Sequence, residues 1–141
     1  MLQRKQSIWL LLAALLNACL FLVPFYRWHE PTDTAWHDLR LNTFFPAFLV
    51  AIVITVLPLA AIFMYRKRKQ QLAMSMVTLL SIITFTGMML AKVTSLVPAN
   101  ATGGTYWIGA ALPAISFLLV ILAMLGIRKD EKLVQSMDRL R

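Results

Sequence analysis

The feature that most constrains this chain is a set of four long apolar runs, residues 7–26, 43–65, 72–97 and 106–127, separated by short polar connections. Each meets the roughly 20 residues that an α-helix needs to cross a hydrocarbon layer about 30 Å thick. The runs are continuously apolar instead of alternating, which predicts helices and not barrel strands, because a helix satisfies its own backbone hydrogen bonds inside lipid. Of the 141 residues, 60% are hydrophobic and 14% charged, against about 25% charged in soluble domains. A water-soluble fold has no way to hide that much apolar surface. The expected fold class is therefore all-α: an integral membrane four-helix bundle forming a single membrane domain over residues 1–141.

Orientation follows from the basic residues. Arg4 and Lys5 precede the first run, Arg66, Lys67, Arg68 and Lys69 join the second to the third, and Arg128, Lys129, Lys132, Arg139 and Arg141 follow the fourth. These eleven share one side, and the opposite side has Arg27 and Arg40. The positive-inside rule places the eleven in the cytoplasm, with both termini there. The net charge of +8 is thereby explained beside the spans, and no nucleic-acid partner is expected. Tyr26, Trp28, Tyr65, Tyr106 and Trp107 fall at run ends, where amphipathic rings prefer the headgroup layer.

Within the bundle, pairs of small residues four apart (Ala47 and Ala51, Gly87 and Ala91, Ala110 and Ala114) are expected at helix contacts. Asn17, Thr55, Ser81, Thr84 and Ser116 are the polar side chains expected to hydrogen-bond between helices. Pro46, Pro58 and Pro113 each remove a backbone donor and can kink their helices. Lys92 is the one formally charged residue inside a run. Counted at about 1.5 Å per residue from Leu72 it lies some 30 Å along its helix, close to the outer headgroups, so it is expected to snorkel. No acidic residue, histidine or arginine lies deeper, which argues against proton-coupled transport. Small four-helix multidrug exporters have a similar size but carry a glutamate in the first helix, and this chain has none there.

The loop after the first run holds Trp-His-acid twice, eight residues apart. His29, Glu30, Asp33, His37 and Asp38 are the side chains there able to ligate a divalent metal if the loop folds back on itself. The spacing matches no established metal signature, and the plainer reading is a solvated loop anchored by Trp28 and Trp36; no cofactor is expected. Cys19 is the sole cysteine. Leu16 to Cys19 is similar to a lipobox, but the apolar run continues past it to Phe25, which favours an uncleaved first span. Asn100-Ala-Thr102 is a formal sequon in a short loop and is read as chance, with Gly103 and Gly104 permitting a tight turn.

Beyond the fourth run the chain is expected to form a short amphipathic cytoplasmic helix or tail. Leu133, Met137 and Leu140 recur at i, i+4 and i+7 among charged residues. It could lie on the inner leaflet, extend the fourth helix or dock onto a partner. Arg128, Lys129, Asp130, Glu131, Leu133, Asp138, Arg139 and Arg141 are its candidate contact residues, facing anionic headgroups or a partner protein. No phosphate loop, dinucleotide fingerprint, zinc-protease motif or nucleophile elbow is present, so no enzyme is expected and no catalytic residue is named.

Several segments carry a family likeness: Met1-Leu-Gln-Arg4 with Gln6 and Ser7, Leu11-Leu-Ala13, Arg68-Lys69 with Gln71, Gly109 with Pro113, and above all Arg128-Lys-Asp-Glu-Lys-Leu-Val134 with Ser136 and Asp138-Arg-Leu-Arg141. In these the chain resembles domain-of-unknown-function family 4293, small four-helix membrane proteins of Bacteroidota. The resemblance implies a bacterial inner-membrane location and four spans, and carries over no activity or ligand residue. The expected role is a non-enzymatic accessory or scaffold protein acting through its cytoplasmic tail. The alternative is a small transporter or lipid- or quinone-binding membrane protein, with a cavity between proline-kinked helices lined by Asn17, Thr55, Ser81 and Thr84.

Overall fold

The computed structural model describes residues 2–30, 35–65, 67–98 and 101–138, with residues 2–5, 102 and 134–138 described by their backbone. The chain is mostly helical. Four helices, α1 (Leu2–Cys19), α2 (Phe45–Phe63), α3 (Arg68–Leu96) and α4 (Ile108–Asp138), pack pairwise in a closed ring in which α1 touches α2 and α4, and α3 touches the same two. Three stretches, Phe45–Phe63, Arg68–Leu96 and Ile108–Leu133, are long and apolar enough to cross a membrane, while Gln6–Cys19 is a shorter apolar helix.

The first helix ends well before the apolar run does. Residues 20–23 turn back onto the carbonyls of Asn17, Ala18 and Cys19, and Pro24 disfavours helix for the residue before it. Helix α2 opens with a proline in its first turn, where a missing N–H does no harm. Helix α3 stops where Pro98 holds Val97 extended at φ −79° and ψ 120°.

An all-α expectation misses a three-stranded antiparallel sheet in the order β2-β1-β3, built from β1 (Tyr26–His29), β2 (Trp36–Leu39) and β3 (Thr102–Tyr106). The repeated Trp-His pair is what zips the hairpin, since Trp28 pairs with His37 and His29 with Trp36. Trp28 stacks on His37 at 5.6 Å, and His29 meets Trp36 edge-on at 5.0 Å. On β3, two steps along β1 match three, and Gly103 sits at that irregularity with φ +66°. A bulge of this type takes glycine in the left-handed region. The glycine pair therefore lies within a strand and not in a simple turn.

The sheet plugs one end of the helix ring. Trp28 and Leu39 are buried in the same cluster as Ala47, Ala51, Phe85 and Met89. Phe25 reaches Phe85 in the middle of α3 with ring centroids 6.4 Å apart. The amide of Gly109 donates to the Pro24 carbonyl at 3.2 Å and that of Trp107 to Phe25 at 3.1 Å, tying the start of α4 to the end of the α1 turn.

At the basic end of α3, burial is inverted relative to a water-soluble protein. Along α3 the buried positions at the basic end are Gln71, Ser75 and Thr78, whereas Met76, Val77, Leu80 and Ile83 are exposed. Leu49, Ile52, Val53 and Val56 on α2 and Leu118, Leu122 and Leu125 on α4 are exposed as well. An apolar exterior of this extent is the surface of a protein whose solvent is lipid or a partner.

The small-residue pairs divide. Ala47 and Ala51 are fully buried, whereas Gly87, Ala91 and Ala114 face outward. With both faces of α3 apolar, spacing alone does not say which one is inside.

Candidate functional site

Among the described residues, the end opposite the sheet brings Arg68 to the last turns of α4, which hold Arg128, Lys129 and Lys132. This helix does not break after its apolar stretch. It runs on to Asp138, so the tail is a continuation of α4 and not a separate element. Its inward stripe, Ser116, Val120, Ala123 and Ile127, is buried, and Asp130 falls next in that register. The Gln6 side-chain amide donates to the Asp130 carboxylate, and Arg68 donates to the Asp130 main-chain carbonyl at 2.8 Å. Gly126 lets Gln6 lie close, since a Cβ there would sit 2.8 Å from Gln6 Cγ. One residue thus joins α1, α3 and α4.

With Asp130 turned inward, Arg128, Lys129 and Lys132 are left exposed. Together with Leu125 and Glu131 they line an open cleft of about 550 Å³. Leu133 is exposed, Asp138 is described by its backbone, and Arg139 and Arg141 lie outside the described residues. Higher on the same helix, Ala110, Pro113, Ala114 and Phe117 face Ile82 and Thr86 of α3 across an apolar groove of about 430 Å³.

The inter-helix polar residues fall into two groups. Asn17 is fully buried, and its amide donates to the Ile54 carbonyl of α2 at 2.8 Å. Ile54 is four residues before Pro58, which has no N–H to offer it, so Asn17 supplies the donor that the proline withholds. Ser116 donates to Ala13 of α1 at 3.5 Å. By contrast, Thr55 and Thr84 donate to Ala51 and Leu80 of their own helices, the usual refuge of a hydroxyl on an apolar helix. Ser81 is half-buried. None of the five lines the α3–α4 groove.

At the sheet end, strand alternation sends His29 and His37 to opposite faces. That separates the two nitrogen ligands a loop metal site would need. Asp38 is held by Arg27 at 2.7 Å and Arg40 at 3.2 Å, and Arg27 also lies over the Trp107 ring at 4.4 Å. The His29 ring is 3.4 Å from the Glu30 carbonyl oxygen. Asp33 lies outside the described residues, and among those described no cluster of three or more metal-ligating side chains occurs. Lys92 sits 5.4 Å over Phe44, the N-cap residue before α2. Cys19 is exposed at the end of α1.

The model of the family described as Domain of unknown function (DUF4293) matches residues 2–140. The chain belongs to this family. Neither a curated protein nor a solved structure matches it. Sequence reasoning singled out the α4 end by charge, but missed Gln6 and Arg68, which organise it, and the α3 half of the groove. A glutamine and one arginine in a basic turn give no signal of a distant partner; the flanking Gly126 is the nearest hint.

Proposed function

We propose that this chain is a four-helix protein of a bacterial inner membrane, with both termini cytoplasmic, acting as a non-enzymatic accessory or scaffold protein through the cytoplasmic end of α4. The observation that carries the reading is the unbroken passage of α4 from an apolar stretch into a charged one, with Asp130 locked to Gln6 and Arg68. A helix fixed in this way presents Arg128, Lys129 and Lys132 in a set direction, which suits recognition better than a free tail does. The basic count on this side supports its cytoplasmic placement.

In-membrane crosslinking of the full chain against a form truncated after Glu131, read by mass spectrometry, tests this. Loss of a defined protein partner on truncation is expected. Unchanged partner recovery, expression and phenotype would remove the scaffold reading. A second reading, a small carrier or binder of lipophilic ligands such as quinones, is favoured by the apolar α3–α4 groove, whose size falls within the range of small-molecule sites.

A further inference from the structure

We infer that the outer face of α4 is a binding site for one anionic phospholipid of the cytoplasmic leaflet, its phosphate in the Arg128–Lys129–Lys132 cleft and an acyl chain running up to the α3–α4 groove. The inference rests on the membrane orientation proposed above and assigns a ligand to that same end of the molecule.

Two separate features lie on one stripe. Leu118, Leu122 and Leu125 are exposed and recur at intervals of four and three, and Lys129 and Lys132 continue the same spacing. These positions share a helix face. Its lower part is the cleft, where among the described residues three cations accompany the carboxylate of Glu131. Its upper part, at Leu118, opens into the groove lined by Ile82, Ile83, Pro113 and Phe117.

From Lys129 to Leu118 is 11 residues, or roughly 16 Å of helix. That is close to half of a hydrocarbon core about 30 Å thick, so a chain whose headgroup sits at Lys129 ends near the groove. Asp130 is prevented from neutralising the cleft because it is held on the inward face by Gln6. A phosphate placed there meets arginine and lysine donors, and the apolar stripe rewards a ligand carrying a chain over a free phosphate.

The test uses the full-length protein in detergent, with dioleoyl phosphatidylglycerol compared with dioleoyl phosphatidylcholine by native mass spectrometry. Retention of the anionic lipid at about tenfold lower concentration is expected. The combined R128Q, K129Q and K132Q variant should lose that preference. Ala114→Phe, which fills the groove from an exposed position, should weaken both lipids while the preference persists. Equal retention of the two lipids by the native chain, or an undiminished preference in the triple variant, would overturn the headgroup site. Unchanged binding by Ala114→Phe would overturn the acyl-chain path. Labelling of Lys132→Cys, in a Cys19→Ser background, by an impermeant maleimide reads the orientation separately. Reaction only after permeabilisation supports the cytoplasmic leaflet, and reaction in intact spheroplasts overturns it without touching the detergent result.

Discussion

The two ends of the helix ring are closed by different means. At the sheet end the loops themselves fold: three strands bring together Phe25, Tyr26, Trp28 and Tyr106, with Arg27, Asp38 and Arg40 in one ion cluster. Backbone meets backbone there, as in the Gly109 to Pro24 bond. At the basic end the joins are made by long, flexible side chains, Gln6 to the Asp130 carboxylate and Arg68 to the Asp130 main-chain carbonyl. The first arrangement joins main chain to main chain and buries Phe25 and Trp28. The second fixes a direction while leaving most of its charge exposed, which is what a surface that meets other molecules requires.

One substitution made at each end breaks or upholds this contrast. Gly109→Ala places a Cβ 2.9 Å from the Pro24 carbonyl carbon, against main chain that cannot yield, and should destabilise the purified protein by about 2–3 kcal/mol in detergent unfolding. A loss below about 1 kcal/mol would mean that the sheet end is as compliant as the other.

Next in size is the Asn17 bond in the interior. Asn17→Leu should cost about 1–2 kcal/mol by orphaning the Ile54 carbonyl. The same change made on a Pro58→Ala background, where the helix regains its own donor, should cost markedly less. Equal losses in the two backgrounds would show that Asn17 is not serving the proline.

Asp38→Ala should cost about 1 kcal/mol by removing the carboxylate that holds Arg27, and the loss should persist at high salt because the pair is largely shielded. A loss abolished by salt would make the cluster an ordinary surface pair. The smallest effect belongs to Gly126→Ala at the basic end. The nearest neighbour of a Cβ there is the flexible Gln6 side chain, and the gain in helix propensity offsets the displacement, so stability should change by less than about 0.5 kcal/mol. A loss as large as that of Gly109→Ala would erase the distinction between the ends.

The sequence made the long helices easy to read, because a run of some 20 apolar residues has few other uses, and it made the charged end of α4 visible as a concentration of basic residues. It concealed the early end of α1, since Leu20 to Phe25 are as apolar as the helix before them and only Pro24 marks the change. It concealed the sheet for a different reason. Four-residue strands carry little pattern, and β3 is a Thr-Gly-Gly-Thr segment far along the chain. The duplicated Trp-His pair was the available clue, since antiparallel pairing sets each tryptophan opposite the other histidine. The outward direction of Gly87 and Ala91 was hidden because α3 is apolar on all sides at that height, and the groove was hidden because its α3 and α4 walls meet only in space.

The pairing of Tyr26 with both Leu39 and Tyr106 has a consequence for how the protein is made. Under the proposed topology β1 and β2 cross the membrane early in synthesis, whereas β3 arrives with the last helix. Until then β1 keeps one edge open, and the sheet closes once all four helices stand in place. A copy stalled or wrongly threaded during insertion therefore keeps an unpaired strand edge on the far side, a template to which another strand can add.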